Sequence, residues 1–263
     1  MKQTTILYDK IGTGYNNTRQ PDPYISEKLF QLLSPQTNKV YLDIGCGTGN
    51  YTIQFADKGF DFSGVDPSDQ MLQEARTKSN KINWVIGSAE QIPSDNETFD
   101  GAVATLTVHH WTNLEKSFRE LFRVMKVGSK IIFFTATPEQ MNGYWLNHYF
   151  PQMLKLSIDH MPSFESIKFA ANKAGFNITV TEKYFIQEDL QDLFLYSGKH
   201  KPEIYFDTIV RKGISSFAAL AVKDEVASGL SQLQKDIETK RFDKIKTDFE
   251  NNFGDYLFIV AEK

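Results

Sequence analysis

Val40-Tyr41-Leu42-Asp43-Ile44-Gly45-Cys46-Gly47-Thr48-Gly49 is the stretch whose reading decides the fold. Its first five residues are mostly apolar and read as a buried strand. Three glycines in the next five positions then let the backbone turn more sharply than residues with a Cβ allow. A short helix follows, with Gly59 placed to cap it. Downstream, residues 62–66 read as a second strand. Pro67-Ser68 opens a helix that carries Met71, Leu72 and Ala75. Residues 82–86 and 99–105 read as the third and fourth strands. Leu114, Phe118, Leu121, Phe122 and Met125 share one helical stripe, and residues 130–136 read as a fifth strand. Upstream, Asp22 as N-cap and Pro23 at the first helical position start a helix with Ile25, Leu29, Leu32 and Leu33 on one face. Strands alternating with helices at this spacing imply a parallel sheet covered on both faces. Right-handed crossovers then select a doubly wound α/β topology.

The second half is less regular. Residues 138–162 form an aromatic-rich connection with Tyr144, Trp145, His148, Tyr149 and Phe150. A helix over 165–174 ends at Gly175, and residues 178–186 and 256–261 read as two more strands. Between them, Leu230, Leu233 and Ile237, then Phe242, Ile245 and Phe249, have helical spacing. A segment of about 60 residues is too long for a plain loop in a compact domain, so it reads as a helical insert with a task of its own.

Composition bounds the function. The chain has 263 residues, 41% of them hydrophobic and 24% charged, which suits a globular protein. The net charge of -4 argues against a nucleic-acid binder held by bulk positive charge. Cys46 is the only cysteine, so the sequence offers no intrachain disulfide and no Cys-rich metal site. Residues 1–10 lack the apolar core of a signal peptide, and a cytoplasmic location is the expectation.

In a doubly wound sheet, ligands bind at the carboxyl ends of strands, beside turns such as 45–49. Asp66 ends the second strand, 21 residues after Gly45, where a carboxylate can accept hydrogen bonds from ribose hydroxyls. The pair points to a nucleoside-containing cofactor. The spacing is G-x-G-x-G and not the G-x-G-x-x-G of dinucleotide binders. Asp43, two residues before the first glycine, would repel a pyrophosphate and favour an ammonium group.

Four separated motifs together resemble those of class I S-adenosylmethionine-dependent methyltransferases. The likeness is to the type 11 subgroup that includes ubiquinone/menaquinone-biosynthesis and trans-aconitate methyltransferases. The first motif is the stretch from Val40 to Gly49. The second is Gly64-Val65-Asp66-Pro67-Ser68 with Met71-Leu72. The third is Gly87-Ser88-Ala89-Glu90-Gln91-Ile92-Pro93 followed by Phe99-Asp100. The fourth is His109-His110-Trp111 with Arg119-Glu120 and the run Arg123 to Gly128. The match spans about residues 38–136. Two positions depart from the pattern: Ser88 stands where Asp is frequent, and Val127-Gly128-Ser129 where Pro-Gly-Gly is usual.

The resemblance implies a Rossmann-like, seven-stranded sheet, mostly parallel with an antiparallel last strand. The expected organisation is one domain over 1–263, with a core of 24–137, 165–186 and 254–263. An N-terminal lid (1–23) and the helical insert (187–253) complete it. The implied cofactor is S-adenosyl-L-methionine, leaving S-adenosyl-L-homocysteine as product. Gly45 and Gly47 are expected to pass close to its methionine part and Asp43 to face the amino group. Asp66 is expected on the ribose, Met71, Ala89 and Glu90 around the adenine, Thr105 beside the methionine moiety, and Tyr15 and Arg19 over the carboxylate. His110 is the candidate base or acceptor-orienting group. His109, Tyr144, Trp145 and Arg211 are the candidate acceptor-site residues. The expected acceptor is a small molecule. An RNA or protein acceptor, and a non-catalytic S-adenosylmethionine binder, are the alternatives. Neither nucleic acid nor a membrane span is expected, and the chain is expected to be a monomer or homodimer.

Overall fold

The structure, a computed structural model, describes residues 18–263. Its seven strands are β1 (Val40–Ile44), β2 (Asp61–Asp66), β3 (Asn83–Ile86), β4 (Phe99–Thr105), β5 (Met125–Thr135), β6 (Asn177–Tyr184) and β7 (Tyr256–Glu262). They form one sheet in the order β3-β2-β1-β4-β5-β7-β6. Pairing among β1 to β5 is parallel, and β7 runs antiparallel between β5 and β6. The order reverses direction between β1 and β4, so the ligand crevice of such a sheet lies at their carboxyl ends.

The helices of the first half are α1 (Pro23–Leu33), α2 (Asn50–Asp57), α3 (Asp69–Lys78) and α4 (Leu114–Val124). Their start signals act as the sequence implies: Asp22 accepts from the Ile25 amide and Ser68 from the Met71 amide. Each satisfies an amide the first turn would leave unpaired. The connection after β5 forms three short helices, α5 (Pro138–Asn142), α6 (Leu146–Tyr149) and α7 (Pro151–Asp159). Next comes α8 (Phe164–Ala174), which ends where Gly175 adopts a φ of 108°. The insert begins with irregular chain and two 3₁₀ turns. It continues as α9 (Thr208–Gly213), α10 (Ser215–Ala219), α11 (Lys223–Glu238) and α12 (Arg241–Asp248).

The apolar run Ile131-Ile132-Phe133-Phe134 shows why the sheet needs cover on both sides. Ile132 and Phe134 belong to one core, with Phe55, Trp145 and Phe150. Ile131 and Phe133 belong to the other, with Phe118, Leu121 and Ile167. All four are fully buried, as period-2 side chains on a two-faced sheet must be. Each contributes roughly 1.5–3 kcal/mol by burial. No helix among the described residues is long and apolar enough to cross a membrane.

Two elements differ from the sequence reading. Met125, read as the end of the helical stripe, is the first residue of β5 and pairs with Phe99, ahead of a register shift. Gly128, at a φ of 78°, turns the strand there and donates its amide to the Lys263 carbonyl. The front of the insert is turns and not helix, although its apolar residues Phe194, Tyr196 and Tyr205 join the same core.

Candidate active site

The glycine loop is folded against the ends of β2 and β4. Gly45, Gly47 and Gly49 have φ values of 74°, 55° and 76°. A Cβ on Gly45 would stand 2.0 Å from Thr107 Oγ1, so the close approach to the chain after β4 excludes any other residue. The Gly45 amide donates to the Val65 carbonyl at 2.7 Å. Asp66 braces the same loop: Oδ2 accepts from the Gly47 amide and Oδ1 from the Ser68 amide, both at 2.9 Å. Burial raises its carboxyl to about 6, against the pull of those two amides.

Asp43 lies beneath the loop. Its Oδ2 accepts from Thr52 Oγ1 at 2.6 Å. Its Oδ1 is buried and has no hydrogen-bond partner among the described residues. Burial pushes this carboxyl up to about 7, and the nearby Asp66 adds to the rise. Cys46 is a packed thiol, with its pKa driven well up by burial and by the two aspartates. It has no nucleophile's environment.

The opposite wall leaves β4 through Leu106, a non-glycine residue at a φ of 52°, whose amide donates to Phe134. Such strain persists only where surrounding structure enforces it. A 3₁₀ turn over Val108–His110 then brings the two imidazoles together, ring centroids 3.9 Å apart and planes tilted by 48°. Burial lowers His109 to about 4 and His110 well below its ordinary value, helped by Arg19. Both rings are therefore uncharged at neutral pH. Glu90 accepts from the Thr112 amide and hydroxyl and the Asn113 amide. Burial opposes its ionisation, but these donors outweigh it and hold the carboxyl below its usual range.

The cover comes from residues 18–22, here called the leader, and from the insert. Arg19 donates Nε and Nη2 to the two oxygens of Asp192, at 2.5 and 3.2 Å. Tyr51 donates to the same carboxylate. Two backbone amides reinforce the joint, Leu193 donating to the Thr18 carbonyl and Gln191 to the Asp22 carboxylate. Lys78 Nζ reaches the Thr48 carbonyl and hydroxyl and Asn50 Oδ1, while Asn50 Nδ2 donates to the Arg19 carbonyl. The glycine loop, α3 and the leader are thereby tied together.

Two cavities result. The first is lined by Arg19, Asp43, Gly45, Gly47, Asp66, Met71, Glu90 and Thr105, among others. The second, about 670 Å³, is lined by His109, His110 and His160 with apolar side chains of the connection and insert. Arg19, Leu106, His110 and Thr112 border both.

Several expectations need correction. Ala89 is buried in the core and is not in the lining, which its neighbours Ser88 and Glu90 supply. Tyr144 and Trp145 line neither cavity. Tyr144 stacks on Tyr196 and donates to the Asp255 carbonyl. Trp145 is fully buried, edge-on to Phe242. Both are large rings that the core absorbs. Arg211 turns back to the Tyr205 carbonyl and Thr208 hydroxyl and also lines neither cavity. Tyr15 lies outside the described residues. Asp192, Thr107, Lys78 and His160 escaped the sequence reading. Asp192 stands 173 positions from Arg19, and nothing local marks it.

The residues fit S-adenosylmethionine: a buried carboxylate oxygen without a partner suits an ammonium, and Asp66 keeps unused lone pairs for hydroxyls. Residues 42–133 match the family described as a methyltransferase domain. The chain is 28% identical over 128 residues to a malonyl-[acyl-carrier protein] O-methyltransferase of Salmonella typhimurium, covering 49% of this chain and 51% of that one. It is 30% identical over 122 residues to an uncharacterized methyltransferase of Mycobacterium bovis, covering 46% and 50%. It thus spans about half the length of the curated relatives it matches. Among solved structures, a putative methyltransferase from an antibiotic biosynthesis pathway of Anabaena variabilis is 32% identical, with a TM-score of 0.83. A geranyl diphosphate C-methyltransferase of Streptomyces coelicolor shares the fold at 14% identity and a TM-score of 0.56, over 91% of this chain and 78% of that one. With the Anabaena structure matched over 94% of this chain and 99% of its own, the chain belongs to the class I S-adenosylmethionine-dependent methyltransferases.

Proposed function

We propose that this protein methylates a small molecule held in the second cavity, by in-line displacement from S-adenosylmethionine in the first. The shared wall of Arg19, Leu106, His110 and Thr112 carries this reading, because a ligand in one cavity can meet a ligand in the other across it. The volume of about 670 Å³ falls in the range of small-molecule sites. Cover supports the same reading. Met141 and Met161 come from the connection, Phe194 and Leu220 from the insert, and Arg19 from the leader. An RNA or a folded protein would have to reach beneath them.

When bound, S-adenosylmethionine supplies an electrophilic methyl group on a sulfonium. Asp43 would hold the cofactor's ammonium, and Asp66 its ribose hydroxyls. Gly45 and Gly47 leave room for the methionine part, and Met71 lies along the first cavity. The strained Leu106 and the 3₁₀ turn hold the acceptor in line, and the cover keeps water out; such positioning supplies several kcal/mol, up to roughly 7–11. His110 orients the acceptor. An imidazole lowered so far by burial is a weak base, so orientation suits it better than proton removal.

The test is incubation of the protein and methyl-labelled S-adenosylmethionine with a cell extract separated into small-molecule, RNA and protein fractions. Label in the small-molecule fraction is expected. Label confined to RNA or protein would overturn the reading.

A further inference from the structure

The first cavity measures about 150 Å³, well below the roughly 300–1,000 Å³ of sites that bury small-molecule ligands. One of its walls must therefore give way when S-adenosylmethionine binds. The glycine loop is pinned, by the Gly45 amide on Val65 and by Asp66 on the Gly47 and Ser68 amides. The ends of β1, β2 and β4 are held in the sheet. Arg19 and Asp192 line the cavity from outside the sheet, one on the leader and one on the insert. Asp192 is 1% exposed, and its carboxylate takes both Arg19 and the Tyr51 hydroxyl of α2. Tyr51 in turn accepts from the Asp22 amide, and Asn50 holds the Arg19 carbonyl, so the leader stays tied to α2. Leader and insert also meet at a second point. Gly213, the last residue of α9, packs so close to Thr18 that a Cβ there would stand 3.2 Å from Thr18 Cβ.

We propose that Asp192 is a positioning residue that latches the cover: by holding Arg19 and Tyr51 it closes the insert against the leader over the methyl donor, and donor and product pass when the two part. The inference rests on the reading that the first cavity holds the donor. The chemistry suits a latch. Paired hydrogen bonds to a planar guanidinium fix direction as well as distance, so the joint re-forms in one geometry. A buried ion pair regains in attraction little more than it loses in hydration. When insert and leader part, both charges reach water together. Parting then costs far less than deleting one partner, which leaves the other buried alone. The latch also bears on the acceptor side, because Asp192 lines the first cavity while Phe194 and Leu195, two and three residues on, line the second.

The test joins leader to insert in the full chain with Thr18→Cys and Gly213→Cys together. A Cβ–Cβ separation of 3.2 Å is slightly short of the roughly 3.5–4.5 Å of disulfides, so oxidation should close the crosslink. Labelled S-adenosylhomocysteine is bound to the reduced protein, the crosslink is closed, and release is followed after excess unlabelled ligand is added. Release is expected to be at least about tenfold slower in the oxidised form than in the reduced one, and loading of protein oxidised beforehand equally slowed. In the chain without added cysteines, Asp192→Asn is expected to release the label about tenfold faster than wild type, and Asp192→Glu to restore part of the difference. A merely structural role would lower the urea midpoint without changing these rates. Either series decides alone if the crosslink does not form or the Asp192 variants do not fold. Equal release from the oxidised and reduced forms, or wild-type release from Asp192→Asn, overturns the proposal and leaves the cofactor reading standing. Failure of S-adenosylhomocysteine to bind the wild type overturns both.

Discussion

Replacing Asp43 by Asn should make the ligand-free protein more stable and the cofactor complex weaker. Asp43 is buried, with one oxygen on Thr52 and the other without a partner among the described residues. Burial lifts its carboxyl from 3.8 to about 7. A folded pKa above the unfolded one favours the folded state at low pH, and that advantage fades as pH rises through about 7. A carboxyl lifted from 3.8 to about 7 makes an ionised Asp43 cost about 4 kcal/mol at pH 8. Asparagine removes the charge but leaves an amide group short of a partner where Oδ1 stood, which costs about 1–3 kcal/mol. The net gain at pH 8 is therefore about 1–3 kcal/mol, or roughly 2–10 °C in Tm for a domain of this size. At pH 5 the wild-type carboxyl is already protonated, and the gain should vanish or reverse. S-adenosylhomocysteine should bind the variant roughly 10- to 100-fold more weakly, the loss expected when a charged hydrogen-bond partner is removed. Scanning fluorimetry at both pH values and calorimetry at pH 8 read these effects. A Tm difference that is the same at pH 5 and pH 8, or an unchanged affinity, would refute the reasoning.

Gly45→Ala combines a left-handed φ with a Cβ 2.0 Å from Thr107 Oγ1 and should cost about 2 kcal/mol or more in urea unfolding. Asp192→Asn breaks a largely buried pair with Arg19 and should cost about 3 kcal/mol, with faster proteolysis of the leader. An unchanged midpoint would show that the joint does not hold the cover. Lys78, lowered to about 8 by burial and only partly restored by Glu74, should lose charge on the way to pH 9. Its bonds to Thr48 and Asn50 then weaken, so S-adenosylhomocysteine affinity should fall severalfold between pH 7.5 and 9 in the wild type and stay flat in Lys78→Met.

The sheet and the cofactor loop were legible because their signals are local. Asp22 with Pro23, and Pro67 with Ser68, mark helix starts within two residues. The glycine spacing and Asp66 lie within one βαβ unit, where neighbours in sequence are neighbours in space. Even there the reading was incomplete. Asp66 ends β2 beside the glycine loop, but its grip on the Gly47 and Ser68 amides depends on a turn that only the folded backbone defines. The acceptor side was poorly legible for the opposite reason. Tyr144, Trp145 and Arg211 suggest an acceptor site by residue type alone, and type does not say which way a side chain points. The residues that build that side, Arg19 with Asp192 and the 3₁₀ turn with the connection and insert, meet across long stretches of chain.

That division bears on how such a protein acquires its acceptor. The family match ends at residue 133, before the connection and the insert begin. The curated relatives likewise match about half of the chain. The Anabaena structure, by contrast, overlays nearly the whole of it. The glycine loop is braced by Asp66 on the Gly47 amide, and Gly45 leaves no room for a side chain against Thr107. The second cavity is bounded in part by Ile214 and Leu220 at the two ends of α10, which can change in size or polarity while the lining it shares with the first cavity stays the same. With the acceptor in the second cavity, as proposed, its choice can shift by substitutions in the cover alone, and likeness confined to residues 42–133 says nothing of the acceptor.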